Sequence, residues 1–219
     1  MPRIWLAMVL FWLCGPAWAL LPATLDSADL RLSLGPTMAY LEDSKGMLSA
    51  EQVGALSDER FTPVNGEHAN LGKNDSIWWF KVRLNNRLAQ DLAGYLEVNY
   101  PLLDHLQVYL RHADGQWQMQ ESGDRFAFSQ RPVQVRNFWF PLELTPGEST
   151  LLVRVETTST IFMPLFFSTY QASAAAQENL MGFNGAFYGV LFAMFCYNLF
   201  LFISLRESAY LWYLAYNLN

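Results

Sequence analysis

An uncharged run of 27 residues, from Asn179 to Leu205, constrains this chain more than any other feature. Its last 23 residues, from Phe183 onward, would span about 34 Å as an α-helix, enough to cross the ~30 Å hydrocarbon core of a bilayer. Bulky apolar side chains fall on every side of such a helix, which suits lipid or other membrane helices as surroundings. The sequence therefore predicts a first membrane helix over residues 182–205 and the beginning of a second from about Ser208.

The N-terminus has the features of a secretory signal peptide. A basic start precedes the apolar residues 4–13, and Ala17-Trp18-Ala19 is a small-x-small cleavage site. We expect cleavage after Ala19, so that residues 1–19 form the signal peptide. A lipoprotein signal using Cys14 and an uncleaved anchor are the alternatives.

Export would fix the topology of the remaining chain. Residues 20 to about 181 would lie outside the cytoplasm; in a Gram-negative bacterium this is the periplasm, and the helix would cross the inner membrane. The first membrane helix would then run from outside to inside, with Arg206 at its cytoplasmic end, as the positive-inside bias prefers.

The exported segment has neither a disulfide framework nor a surface suited to nucleic acid. It contains no cysteine, because Cys14 belongs to the signal peptide and Cys196 to the membrane helix. Residues 20–182 carry 12 Lys and Arg against 19 Asp and Glu, a net charge of −7 that repels nucleic acid and anionic lipid. We expect one periplasmic domain over residues 20–172, followed by the membrane region over 173–219.

Alternating apolar and polar residues predict that this domain is built from strands. In the run from Ile77, the residues Trp78, Phe80, Val82 and Leu84 share one face, while Trp79 and its alternate neighbours share the other. The same period-2 pattern recurs over residues 95–100, 105–111, 138–144 and 151–155, and turn residues separate the runs. Short strands without intervening amphipathic helices favour an antiparallel sandwich, with one short helix capped by Ser49.

Several segments of the chain carry a resemblance to a known family. They are Tyr40-Leu41-Glu42-Asp43, Asn70-Leu71-Gly72, Trp78-Trp79, Tyr100-Pro101-Leu102-Leu103-Asp104, Phe128-Ser129-Gln130-Arg131-Pro132, Arg136-Asn137-Phe138-Trp139-Phe140-Pro141-Leu142, and then Tyr188-Gly189 and Tyr197-Asn198-Leu199-Phe200-Leu201-Phe202 with Leu205-Arg206 and Tyr210. In this order they resemble the type-2 extracellular domain of the bacterial seven-transmembrane receptors with diverse intracellular signalling modules (7TM-DISM), followed by the opening of that family's membrane region.

The resemblance implies a mainly β fold, a periplasmic jelly-roll β-sandwich akin to carbohydrate-binding modules, followed by transmembrane α-helices. It also implies a ligand-sensing part of a signalling receptor, coupled through the membrane to a cytoplasmic histidine kinase or diguanylate cyclase. The chain departs from the family by ending in the second helix, so we expect a fragment or a truncated gene, and no enzymatic activity in these residues. The alternative is a non-signalling, membrane-tethered binding or receptor-assembly domain.

Outward-facing residues of the predicted strands form the candidate ligand site. Aromatic rings on which a sugar could stack, together with polar groups for its hydroxyls, are Trp79, Arg83, Glu97, Asn99, Tyr109, Trp139 and Arg154. Trp78 is predicted to lie in the core. In the alternative interpretation, Trp79 and Trp139 pack under loops or against another subunit, and the charged residues are cross-strand partners.

A second set of polar residues lies near turns. Asp104, Arg131 and Arg136 belong to segments that carry the resemblance, and they could clamp loops or capture an acidic ligand. The three histidines have no metal-ligand spacing, and no hydrolase or phosphate-loop motif occurs. We therefore expect no catalytic residue, no metal and no cofactor.

A stripe of small residues follows one side of the predicted membrane helix. Gly182, Gly185, Gly189 and Ala193 recur at steps of three and four, a spacing that lets a second helix approach closely. Composition alone could also produce such a stripe. The expected partners are a periplasmic small molecule or glycan, the inner membrane, and a second copy or another receptor, but not nucleic acid.

Overall fold

The computed structural model describes residues 19–112 and 115–207, together with Ala209, Trp212, Tyr213 and Tyr216. The predicted signal peptide lies outside the described residues except for Ala19, and so does most of the predicted second membrane helix. The described chain divides into two units, at Ala172 and Ser173, and each is described by itself.

Thirteen strands and two α-helices make up the described chain. In order they are β1 (Ala23–Leu25), β2 (Arg31–Ser33), β3 (Met38–Asp43), α1 (Ala50–Ala55), β4 (Thr62–Pro63), β5 (Ala69–Lys73), β6 (Ile77–Asn86), β7 (Leu92–Val98), β8 (His105–Arg111), β9 (Trp117–Ser122), β10 (Phe138–Leu144), β11 (Gly147–Glu156), β12 (Thr160–Met163), β13 (Leu165–Thr169) and α2 (Tyr170–Leu205). Short 3₁₀ turns occur at Gly35–Thr37, Asp58–Arg60 and Phe128–Gln130.

Two sheets form a sandwich. The larger sheet has the order β4-β3-β6-β11-β8-β9, with β1 added in parallel to the end of β6, and the smaller sheet has the order β10-β7-β13-β2. All other pairings in these sheets are antiparallel, and β12 pairs separately with β5. The predicted fold class is confirmed: an antiparallel β-sandwich followed by an apolar helix.

The main core lies between the two sheets and consists of the residues that the alternation places inward. Buried members from the predicted strands are Phe80, Val82, Leu84, Leu96, Val98, Leu106, Val108, Leu110, Phe138, Phe140, Leu142, Leu144, Leu151, Val153 and Val155. Their alternate neighbours face away from this core. We use "outer face" for the side of each sheet turned away from the other.

A second apolar cluster covers part of the larger sheet's outer face. It joins Trp79, Ala39 and Leu152 from the sheet to Val53 of α1 and to Leu20, all of them buried. The sheet is therefore buried on both sides there, which the strand pattern of one buried face did not predict.

Local signals explain why α1 forms and how it can lie so close to the sheet. As predicted, Ser49 is its N-cap: the hydroxyl accepts a hydrogen bond from the Gln52 N–H at 3.3 Å, and the Gln52 side chain accepts one from the Ser49 N–H at 2.9 Å. A Cβ at Gly54 would approach the Trp117 ring to 2.6 Å. Only glycine fits at this position without displacing the ring.

The second unit contains an apolar helix of membrane-spanning length. Within α2, the segment Met181–Leu205 has a mean hydropathy of 2.0 over its most apolar part, and none of that part is buried. By length and composition it can cross a bilayer.

The roles expected of the two adjacent tryptophans must be corrected. Trp79 is only 1% exposed because α1 and Leu20 cover the outer face on which it lies. Trp78 does face the main core, as predicted, but it is half-buried at its edge, and its indole N–H donates to Asn74 Oδ1 at 2.8 Å.

The buried Trp79 and the half-buried Trp78 should differ in what they contribute to stability. Trp79→Ala should lower the free energy of unfolding by ~3–5 kcal/mol because it empties a closed apolar site. Trp78→Ala should lower it by no more than about 2 kcal/mol, because part of that ring is already in water. Thermal and urea unfolding of the two variants would check this, and an equal or larger loss for Trp78→Ala would contradict the assignment.

Candidate functional site

The predicted ligand residues do not form one site, because they divide between opposite sides of the sandwich. Trp79, Arg83, Tyr109 and Arg154 lie on the outer face of the larger sheet, in β6, β8 and β11. The remaining three, Glu97, Asn99 and Trp139, belong to the smaller sheet or follow directly on its strand β7. The expected single platform is therefore wrong, since two sheets separate its halves.

On the larger sheet, ion pairs and rings hold the predicted residues. The Tyr109 ring lies 5.7 Å from the Trp79 ring, and Arg154 Nη1 lies 3.2 Å from the Glu156 carboxylate and 3.4 Å from Gln107. A cavity of about 360 Å³ remains between Trp79, Tyr109, Arg154 and the beginning of α1. Trp79 cannot act there as an exposed stacking surface, because it is buried.

On the smaller sheet, the buried Glu97 side chain pairs with Arg31. Its side chain is 2% exposed, and Arg31 Nη2 lies 2.9 Å from Oε2 while the guanidinium stacks 4.6 Å from the Phe166 ring centre. Asn99 donates a long hydrogen bond of 3.5 Å to the same oxygen and accepts one of 3.1 Å from Asn137. These contacts order the end of β7, and they hold both Glu97 and Asn99 in place.

Beside them, three aromatic rings form a continuous row. Trp139 pairs with Tyr95 across β10 and β7 at 5.1 Å between ring centres, and Tyr95 contacts Tyr170 at 4.6 Å. Trp139 is half-buried, whereas Tyr170 is 47% exposed. Tyr170 lies at one end of the row, and it is also the first residue of α2.

The row ends at a groove of about 660 Å³, which we call the Tyr170 groove. It is defined by Asp91, Gln118, Gln120, Pro141, Glu143 and Tyr170, with Ala93, His112, Leu142 and Thr145. Gln120 donates to the Pro141 carbonyl at 2.7 Å, and Gln118 contacts His112 Nε2 at 3.3 Å. Amides, carboxylates and a partly exposed ring thus meet in one concave surface.

The Tyr170 hydroxyl is neutral at physiological pH. Burial raises the pKa of this phenol, and the neighbouring Tyr95 and Glu143 raise it further. A neutral phenol can both donate and accept hydrogen bonds.

Comparison with known families identifies both units. The family model for the 7TMR-DISM extracellular 2 domain matches residues 35–169, and that for the 7TM diverse intracellular signalling region matches residues 180–219. The chain belongs to the 7TMR-DISM family. It is the sensor region of a membrane signalling receptor, with an external domain before its apolar helix.

No curated protein matches the chain significantly. A solved structure, a Bacillus thuringiensis Cry1Da tryptic core variant, is similar over 49% of this chain and 22% of its own, with 10% identity and a TM-score of 0.29. The chain therefore spans about a fifth of that protein.

Within the 7TMR-DISM extracellular domain, Asp104 binds residues of neighbouring loops. Its Oδ2 accepts hydrogen bonds from the N–H and hydroxyl of Thr158, both at 2.9 Å, and lies 3.1 Å from Arg125 Nη2. The carboxylate thus ties the segment before β8 to the segments that follow β9 and β11.

Arg131 has a similar position in the loop before β10. Its Nη1 donates to the carbonyls of Val135 and Arg136, at 2.9 and 2.8 Å, and its guanidinium lies 4.7 Å from the Phe138 ring centre. Arg136 supplies only this carbonyl, and its side chain is exposed. These are contacts of a loop clamp, and the capture of an acidic ligand stays a prediction.

The small-residue stripe is exposed along α2, in the part that the 7TM family model matches. Gly182, Gly185, Gly189 and Ala193 are all exposed, and a Cβ added at any of the three glycines would meet no atom within 4 Å.

Among the described residues, no group of three His, Cys, Asp or Glu side chains is placed to hold a metal ion.

Sequence reasoning missed most of the Tyr170 groove for one reason. Gln118 and Gln120 lie on β9, whose residues alternate polar with apolar only weakly, so no strand was predicted there. The signal available was the pair of turns, Ala113-Asp114-Gly115 and Ser122-Gly123-Asp124, that bracket a segment of strand length.

Three buried or half-buried carboxylates make the domain sensitive to acid. The Thr158 N–H lowers the pKa of Asp104 against the opposing effect of burial, with Arg125 adding to the decrease. For Asp43 and Asp58, burial raises the pKa, but hydrogen bonds and, at Asp58, the charges of Lys81 and Arg83 outweigh it, so both values are lowered. A lowered pKa stabilises the folded state above the unfolded value of ~3.9 and ceases to do so as the pH falls through the folded value.

We therefore expect the melting temperature to fall as the pH decreases below about 4. Asp104→Asn should melt lower than the parent at pH 7 but decline less steeply with acid, because one of the linked carboxylates is gone. Melting curves between pH 7 and pH 2.5 would measure both slopes. Identical slopes for the two proteins would contradict the role given to Asp104.

Proposed function

We propose that the external domain binds a neutral or amino-sugar oligosaccharide in the Tyr170 groove and signals through α2 to a cytoplasmic histidine kinase or diguanylate cyclase. The receptor would reside in the inner membrane of a Gram-negative bacterium. The observation that carries the proposal is that Tyr170 both lines the groove and begins the helix that enters the membrane.

The chemistry of the groove supports a carbohydrate. A sugar ring presents an apolar face to an aromatic side chain and hydroxyls to amides and carboxylates. Tyr170 supplies the aromatic surface, and Gln118, Gln120, Asp91 and Glu143 supply donors and acceptors around it.

The charge of the groove limits the kind of sugar. Its described lining has two carboxylates and no Lys or Arg. An acidic sugar or a phosphorylated ligand would be repelled, whereas a neutral or amino sugar would not.

The backbone supports coupling between the groove and the membrane. Strand β13 ends at Thr169 and α2 begins at Tyr170, so no loop intervenes. The Thr169 hydroxyl accepts a hydrogen bond from the Ala172 N–H at 3.4 Å, which ties the first turn of the helix to the strand. A ligand that shifts Tyr170 therefore acts directly on the helix.

Oligomers of glucose, N-acetylglucosamine and glucosamine are the probes for binding. In the full chain purified in detergent, we expect at least one oligomer to raise the melting temperature and bind measurably by calorimetry. Tyr170→Ala should weaken that binding roughly tenfold, because a stacked ring contributes on the order of 1 kcal/mol or more.

The matched control lies on the same strand as the groove amides. Gln120→Ala should also weaken binding, whereas Met119→Ala, on the opposite side of β9 and 49% exposed, should leave it unchanged. No binding of any oligomer, or equal binding by all three variants and the parent, would contradict the proposal.

The stripe on α2 supports contact with another helix or a second receptor copy. Gly189→Ile would fill the open space along the stripe with a branched side chain, whereas Val190→Ile changes an already bulky, exposed position. In a receptor that carries its output module, Gly189→Ile should change kinase or cyclase output at unchanged oligosaccharide affinity. Equal output from the two variants at equal expression would show that the stripe carries no signal.

A further inference from the structure

A hydrogen bond at Leu20 points to a processed N-terminus that is part of the fold. The Leu20 N–H donates to Asp58 Oδ2 at 3.1 Å, across 38 residues of sequence. We propose that hydrolysis of the Ala19–Leu20 bond produces an α-ammonium group that binds the Asp58 carboxylate and completes the outer face of the larger sheet.

The carboxylate is positioned for a cation. Its side chain is 8% exposed, Lys81 Nζ lies 3.0 Å from Oδ1, and Arg83 Nη2 lies 2.8 Å from Oδ2. Lys81 also donates to the Leu56 carbonyl at 3.2 Å and lies 4.8 Å from the Phe61 ring centre, so it is held in place from several sides. Asp58 is therefore a fixed acceptor, and it does not have to be ordered when the terminus binds.

The two residues joined by the Ala19–Leu20 peptide bond differ sharply in exposure. Ala19 is exposed, whereas Leu20 is 3% exposed and packs with Val53, Phe61 and Leu152 in the second apolar cluster. The side chain of Leu20 thus anchors the terminus, and residue 19 lies at the surface, where a peptidase product can separate.

The reaction changes the donor at Asp58 without moving it. Water cleaves the Ala19–Leu20 amide: the carboxylate leaves with Ala19, and the amine stays on Leu20 and takes up a proton. One neutral N–H becomes a cation with three N–H donors, so a hydrogen bond in which only the acceptor is charged becomes one in which both partners are charged.

Acidic and basic side chains line a cavity beside the site. A cavity of about 620 Å³ beside Ala19 is lined by the carboxylates of Asp58, Glu59 and Glu148 and by Lys81, Arg83 and Arg111. These six charges balance, and the cavity gives water access to the ammonium protons that Asp58 does not bind. Burial raises the pKa of Asp58, but the Leu20 N–H, Lys81 and Arg83 lower it more, so the carboxylate is ionised at neutral pH.

The first measurement is the identity of the N-terminus. The full chain, expressed with its own residues 1–19 in a Gram-negative host and purified from membranes, should begin at Leu20 by N-terminal sequencing and intact mass. A chain that retains residues 1–19, or that begins at another residue, would overturn the proposal.

The second measurement is the reactivity of the new amine. At neutral pH, 2-pyridinecarboxaldehyde modifies α-amines and spares lysines. We expect labelling of the folded chain at least about tenfold slower than of the same chain in urea, because a charge-assisted hydrogen bond must first break. Equal rates in the folded and unfolded chains would overturn the proposal.

Two substitutions and one insertion test the role of Asp58, so that the test does not depend on the folding of a single variant. Asp58→Asn should restore fast labelling, whereas Glu59→Gln, in the same 3₁₀ turn, should not. An alanine inserted between Ala19 and Leu20 leaves Asp58 intact but moves the amine by one residue. Its terminus should label about tenfold faster than the parent's, and slow labelling of this variant would overturn the proposal even if Asp58→Asn fails to fold.

Discussion

The two-sided burial of β6 is the constraint on which the domain depends. This strand pairs with β3 and β11 along its length and with β1 at its end. Phe80, Val82 and Leu84 fill the space between the sheets, while Trp79 and Lys81 are buried on the outer face. A strand that is buried on both sides must satisfy its polar groups within the protein, and Lys81 does so through Asp58 and the Leu56 carbonyl.

The sequence predicts a large part of this arrangement because strands follow a simple period. The five predicted strands all occur, and the observed β8 and β10 have the predicted limits. Their inward residues are those of the main core. Alternation determines which residues share a face, and that information is local.

What alternation cannot determine is the sheet to which each strand belongs. Trp79 and Trp139 both face outward by parity, yet β6 and β10 lie in different sheets, so the two rings point to opposite sides. Alternation also did not predict that α1 and Leu20 bury Trp79. Ala39, Leu41 and Leu152 lie on the same outer face, and these apolar residues were a signal that the face is not simply exposed to solvent. The groove depends on Tyr170 and β9, which meet only when distant segments are folded together.

Both outer faces of the sandwich carry an acidic side chain that is largely buried. Glu97 is bound by Arg31 on the smaller sheet, and Asp58 by Lys81 and Arg83 on the larger. Pairs of this kind add little net stability compared with apolar packing, but removing one partner is costly. Each pair joins segments that are distant in sequence: Arg31 of β2 to Glu97 of β7, and Asp58 to Lys81 and Arg83 of β6.

Gly54 makes the helix α1, which covers part of the larger sheet, dependent on its contacts with that sheet. A glycine inside a six-residue helix makes that helix unable to persist alone, and any larger residue would collide with Trp117. The helix therefore exists only while it is docked, and its hydrogen bonds and its contacts with the sheet form or break together. If α1 leaves the sheet, Trp79 and the residues around Leu20 become exposed to water in the same event, while the core between the two sheets remains buried.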